Sequence, residues 1–169
     1  RGGGAVLQAL DGGDGLSTRR ERKVQYAALP FRPGPHGIEI LLITSRETRR
    51  WVIPKGWPMK GKAPHEAAQI EAHEEAGLDG WIAQRPVGTY RYAKRLKSGK
   101  ERQVEVAVFP LRVTVEGDDW PEKDQRVRRW GPPAEAAALV VEPELKVLIM
   151  AFGRVRLDDL GLEEPIDRP

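Results

Sequence analysis

The stretch from Pro64 to Gly77 is written for a helix, and it carries an arrangement of charge that a helix alone would not select. Pro64 suits a first turn, where its missing N–H costs nothing. The Ala-rich run from Ala67 to Ala76 has high helix propensity, and Gly77 fits the left-handed position just past a helix end. Glu71, Glu74 and Glu75 are three and four residues apart, so at about 100° per residue they share one face. The neighbouring positions on that face and in the following turn, Ala67, Ala68, Ile70, Ala72, Gly77, Leu78 and Asp79, hold no Lys or Arg. No pair along the helix therefore relieves the repulsion. Each close pair costs on the order of 2 kcal/mol at an effective dielectric near 20. The helix dipole further disfavours Glu74 and Glu75 in the last turn by about 0.3 to 1 kcal/mol each. A hard divalent cation, Mg²⁺ or Mn²⁺, prefers oxygen ligands, keeps waters that a phosphate can displace, and removes both penalties.

The loop before this helix points to the same chemistry. Gly56 and Gly61 let the backbone approach a ligand closely, and Lys55, Lys60 and Lys62 can meet a phosphate. The formal net charge is only +3, but basic residues cluster at Arg19 to Lys23, Arg91 to Arg102 and Arg126 to Arg129. Such clustering suits polyanionic partners: nucleotide phosphates, inositol phosphates or nucleic acid. Without a cysteine in its 169 residues the chain has no disulfide, thiolate metal site or cysteine nucleophile. His36, His65 and His73 follow no metal-ligand spacing, and no nucleophile elbow is present. No apolar run approaches the roughly 20 residues that span a bilayer, and the Gly-rich start does not read as a signal peptide. These features together read as a cytoplasmic protein.

The remaining elements predict an α/β protein. Lys23 to Phe31 and Ile38 to Thr44 read as strands, the second so continuously apolar that both its faces should be covered. Trp51 to Pro54 reads as a short extended piece, and Lys55 to Lys62 as a loop. Trp81 to Tyr92 and Gln103 to Val115 read as strands around a basic hairpin at Lys97-Ser98-Gly99-Lys100. A short strand near Val127 to Trp130, a weak helix after Pro132-Pro133 and an amphipathic helix from Glu142 to Phe152 complete the pattern. Residues 1–18 read as a flexible segment, 19–157 as one domain and 158–169 as a loosely held tail. Trp57 and Trp120 read first as packing residues and second as substrate contacts. Glu105 reads as a solvent-facing strand residue that could serve as a further carboxylate.

Taken together, Gly56 to Leu78 resembles the signature of the Nudix hydrolases. That signature is Gly, five residues, Glu, seven residues, Arg-Glu, an apolar residue, any residue, Glu-Glu, any residue, Gly and an apolar residue. Gly56, Glu71, Ala72, Glu74, Glu75, Gly77 and Leu78 occupy their places, whereas Lys62 stands for the first Glu and Ile70 for the Arg. The resemblance covers roughly Arg22 to Phe152 and is nearest to the diphosphoinositol polyphosphate and diadenosine polyphosphate hydrolases. Lys23, Ser45, Arg46, Arg126 and Arg128 match that subgroup's phosphate-contacting positions. Glu142 falls where the subgroup favours Lys, which counts against strict inositol-pyrophosphate specificity.

The resemblance implies a Nudix-type α/β/α sandwich with a central mixed β-sheet, and water attack on a diphosphate-containing small molecule. Glu74 and Glu75 match the usual ligands of Mg²⁺ or Mn²⁺, and Glu71 matches a ligand or the general base. In the family the missing Arg helps to orient the catalytic glutamates. The expected activity is hydrolysis of a phosphoanhydride bond in a diadenosine polyphosphate or an inositol pyrophosphate. Alternatives are a catalytically silent phosphate-ligand or RNA-binding module, and an RNA 5′-pyrophosphohydrolase. Nucleic acid is not favoured, because no aromatic interleaving or single-strand-binding motif accompanies the basic clusters.

Overall fold

The computed structural model describes residues 23–162, so the expectation for residues 1–18 lies outside the described residues. One sheet organises the chain. Its main path runs β3 (Trp51–Val52), β2 (Gly37–Thr44), β1 (Lys23–Gly34), β7 (Glu101–Glu116), β5 (Leu78–Ile82). Three further strands join from the side: β4 (Lys55–Gly56) on β1, β6 (Gly88–Arg95) on β7 and β8 (Arg128–Gly131) on β2. β1 and β7 pair in parallel and the other pairings are antiparallel, so the sheet is mixed.

Side chains alternate across the sheet into two cores, as a pleat of period two requires. Ala27, Leu29, Phe31, Ile40, Leu42, Val104, Val106 and Val108 point to one side. There they meet Ala136 and Ala137 of α2 (Pro133–Leu139) and Leu145, Leu148, Ile149 and Phe152 of α3 (Pro143–Phe152). Ala28, Leu41, Ile43, Phe109 and Leu111 point the other way, onto Ala68, Ala72 and Ala76 of α1 (Pro64–Ala76). Helices thus cover both faces, which explains why β2 carries an unbroken apolar run. Small alanines on the inner face of α1 seat the helix close to the sheet, and its outer residues are then free to carry charge.

Three segments differ from their sequence reading for non-local reasons. Lys55 and Gly56 form a strand because Tyr26 and Ala27 of β1 offer them an antiparallel partner. The expected strand from Trp81 to Tyr92 is two strands, β5 and β6, both paired with β7 and separated by a segment containing Pro86, which has no N–H to donate. Beyond α3, a 3₁₀ turn at Leu157–Leu160 lays Leu157, Leu160 and Leu162 against the α2/α3 core, so the beginning of the expected tail is packed. Among the described residues no helix is long and apolar enough to cross a membrane.

α1 ends as its sequence demands. Gly77 takes φ of 67° and its N–H donates to the His73 carbonyl at 3.0 Å. A Cβ on Gly77 would also lie 2.7 Å from the Trp120 ring. Gly61 has a similar φ of 75° but open space around the missing Cβ. Gly77→Ala should therefore lower stability by about 2 kcal/mol and Gly61→Ala by about 1 kcal/mol, read as shifts of the urea midpoint at constant m-value.

Candidate active site

The last turn of α1, β4, the loop after β2 and the β6 strand surround a cleft of about 760 Å³. Glu71, Glu74 and Glu75 all line it, with Ser45, Arg46, Lys55 and Gly56 facing them. The sequence placed these residues in one site, and the fold brings them together. Lys23, Lys62 and Arg128 do not line the cleft. Lys23 sits exposed at the start of β1, and Lys62 is exposed in the turn before α1. Glu105 faces Arg91 across the β6–β7 ladder and is also absent from the cleft wall.

Glu75 is buried, with a relative exposure of 8%. Its Oε2 accepts the Lys55 backbone N–H at 3.3 Å, and its Oε1 lies 3.4 Å from Arg126 Nη2. Gly56 makes room for the companion carboxylate, because a Cβ there would overlap the Glu71 side chain. Burial is the main cause that pushes Glu71 up to about 7, with repulsion from Glu75, Glu74 and Glu122 adding to it. Burial likewise pushes Glu75 up to about 7, against the opposing pull of Arg126 and Lys55. Lys55 is shifted in the complementary sense: desolvation lowers its pKa, although Glu75 and Glu142 favour its charged form.

Arg126 also lines the cleft, and there its guanidinium pairs with carboxylates. Its side chain is only 7% exposed. Beyond Glu75, it contacts Glu122 at 3.1 Å and donates to the Thr44 carbonyl at 3.1 Å. The guanidinium thereby ties the end of β2, the 3₁₀ turn at Lys123–Gln125 and α1 to one another. It supplies, from the segment just before β8, the positive charge that the helix lacks at Ile70. Arg128 closes the helix end, donating to the Ala76 carbonyl at 3.1 Å and the Gly117 carbonyl at 2.9 Å, with its guanidinium 4.0 Å from the Trp120 ring centroid. Trp120 Nε1 donates to the Glu75 carbonyl at 3.1 Å. These contacts, and not a metal alone, offset the dipole penalty at the end of α1.

Three participants, Glu122, Arg50 and Tyr92, were not among the site residues expected from the sequence. Glu122 adds a carboxylate to the cleft and pairs with Arg46 at 3.4 Å. Arg50 lines the cleft and pairs with Glu142, a buried residue whose Oε2 has no hydrogen-bond partner. Tyr92 donates to Gln25 Oε1 at 2.6 Å and lies beneath the Lys55 ammonium, which is 5.2 Å from its ring centroid. Apart from the local Glu122–Arg126 pair, their partners lie on other strands or loops, so no local pattern marks them.

Among the described residues no three acidic or histidine side chains converge into a ready-made metal cage. That geometry still fits a magnesium-like ion, which takes one or two carboxylates and fills its octahedron with water and substrate phosphate. The donors are all hard oxygens, and Glu71 makes no ion pair among the described residues. Glu71 and Glu75, with Glu74 beside them, are the residues that would hold it.

A family model described as the NUDIX domain matches residues 22–152. The chain is 31% identical over 128 residues to "Nudix hydrolase 12, mitochondrial" of Arabidopsis thaliana, covering 74% of this chain and 63% of that protein. It is 31% identical over 110 residues to "Diphosphoinositol polyphosphate phosphohydrolase 3-alpha" of Mus musculus, covering 64% and 63% respectively. The chain thus spans a little under two thirds of the length of these relatives. Its fold superposes on a C. elegans Ap4A hydrolase binary complex with a TM-score of 0.57 at 20% identity, covering 77% of this chain and 94% of that one, a likeness of fold alone.

Two measurements test the electrostatics. With Glu71 and Glu75 raised from 4.5 to about 7, the metal-free folded state holds more protons than the unfolded chain between those values. Stability should therefore fall as pH rises through that window. In EDTA the urea midpoint is expected to be higher near pH 5 than near pH 8, with the difference reduced in Glu71→Gln and Glu75→Gln and reversed by saturating Mg²⁺ at the higher pH. Arg126→Gln, which strands Glu75 and Glu122, should cost on the order of 3 kcal/mol in chemical denaturation, with Arg126→Lys recovering part of the loss.

Proposed function

The chain belongs to the NUDIX domain family, and from that premise we propose that it hydrolyses a phosphoanhydride bond in a small polyphosphate, either a diadenosine polyphosphate or an inositol pyrophosphate. The observation that carries the reading is the desolvated Glu71/Glu75 pair, set at the end of α1 in a cleft that also presents Lys55, Lys94 and Arg95. An acidic pair alone would repel a phosphate, and a basic cleft alone would only bind one. Their combination suits phosphoryl chemistry, in which positioning and charge stabilisation supply most of the catalysis.

A divalent cation bound by Glu71, Glu74 and Glu75 would supply Lewis acidity toward the phosphate oxygens and the attacking water. The chain's own groups do the rest. Lys55, Lys94 and Arg95 draw the phosphate chain into the cleft, while the Gly56 backbone lets it approach. Arg126 pairs with the Glu75 carboxylate on the cleft wall and so restrains its orientation. Where Glu71 does not itself hold the cation, its place in the cleft suits it to take a proton from the attacking water. Lys23, Lys62 and Arg128 are given no substrate contact here, because they stand outside the cleft.

Release of phosphate or mononucleotide from diadenosine polyphosphates and inositol pyrophosphate, with Mg²⁺ and with Mn²⁺, tests the proposal. Glu75→Gln is expected to lower kcat/KM at least about a hundredfold while the circular dichroism spectrum and cooperative unfolding persist. Tight phosphate-ligand binding without turnover in either metal would replace the enzyme reading with that of a binding module.

A further inference from the structure

Trp57 follows Gly56 directly, so it stands beside the space that the Glu71 carboxylate occupies. Among the described residues it is the one aromatic side chain counted with the exposed large hydrophobics, at 41%. The other tryptophans are employed in the fold. Trp51 packs on the α2/α3 core, Trp130 packs on the α1 core beneath Arg32, Trp120 closes α1, and Trp81 lies under Arg112. Trp57 belongs to neither core. Its ring lines the same cleft as Glu71 and Glu75, with Lys94 Nζ 4.8 Å from its centroid, so an exposed, polarised aromatic surface belongs to the cleft wall.

The charge available in the cleft is modest. Arg126 is spent on Glu75 and Glu122, Arg46 on Glu122 and Arg50 on Glu142. Lys55, Lys94 and Arg95 line the wall without an ion pair among the described residues. Three such cations match a short phosphate chain better than a polyol esterified at most of its hydroxyls, which would present anionic groups in every direction.

Resting on the phosphoanhydride-hydrolase reading, we infer that Trp57 and Lys94 form a specificity subsite for a flat heteroaromatic group carried by the phosphate chain. The cleft therefore favours a base-bearing polyphosphate over an inositol pyrophosphate. The base stacks on the Trp57 indole, and the phosphates run past Lys55 toward Glu71 and Glu75. Glu142 contributes by holding Arg50 away from a second anionic group.

The test compares diadenosine tetraphosphate, inositol pyrophosphate and inorganic tripolyphosphate, which has no base, in wild type, Trp57→Ala and Trp57→Phe with Mg²⁺. The subsite requires KM for diadenosine tetraphosphate to rise about tenfold in Trp57→Ala with kcat nearly preserved, so that its selectivity over tripolyphosphate falls by the same factor. Trp57→Phe should recover most of the loss. As a binding readout independent of turnover, ADP should quench wild-type tryptophan fluorescence more than inorganic pyrophosphate does, and this difference should vanish in Trp57→Phe. Equal effects of Trp57→Ala on base-bearing and base-free substrates, or inositol pyrophosphate as the preferred wild-type substrate, would overturn the inference and leave the hydrolase reading standing. No turnover of any of the three would sink the hydrolase reading, and the fluorescence comparison would then decide the subsite by itself.

Discussion

The buried Glu75 carboxylate, gripped by Arg126, is the contact on which the rest of the site depends. A desolvated carboxylate near the negative end of a helix is costly, and it persists only where surrounding groups over-determine its position. Here they include a backbone N–H from β4, a guanidinium arriving just before β8, and an indole that hydrogen-bonds the same residue's carbonyl. Removing any one leaves a charge or dipole without a partner. The glycine at position 56 is part of the same construction, since any side chain there would evict Glu71 from the place where it couples to Glu75.

The sheet makes that construction possible. Its two-sided core fixes α1 on one face, and the alanine stripe sets the helix close enough for β4 and the segment around Arg126 to reach its last turn. The cleft then forms on the outer side of α1's end, where strands contribute polar residues without disturbing either core. Half of the basic side chains gathered there, Arg46, Arg50 and Arg126, are already committed to holding acids in place. Net charge, which is small and positive for the whole chain, therefore says less about ligand choice than the pairing of individual arginines does.

What could be read from the sequence was what local chemistry writes. The helix from Pro64 to Ala76, its glycine stop, the common face of the three glutamates and the doubly covered β2 all follow from spacing and propensity within a short window. Lys55 and Gly56 read as loop because their strand character comes from Tyr26 and Ala27, far away in the chain. The compensation of Glu75 was invisible for the same reason: no helical neighbour is basic, and the partner is found only once β2 and β8 are paired. Arg126 and Arg128 belong to one basic run, and nothing local shows that the first turns inward to carboxylates while the second seals backbone carbonyls. The pairing of Arg50 with Glu142 is likewise a product of tertiary structure.

The parallel ladder between β1 and β7 sets Lys23 opposite Val104 and Phe31 opposite Arg112. Closing so large a loop costs entropy before any packing repays it, and no hairpin can seed such a pairing. During synthesis, the helix bearing the glutamates emerges well before the strand that anchors β1 and before the guanidinium that restrains Glu75. A nascent chain stopped short of Arg126 would hold an acidic helix whose Glu75 lacks its guanidinium partner. The Glu75–Arg126 contact can thus form only after most of the matched region has left the ribosome.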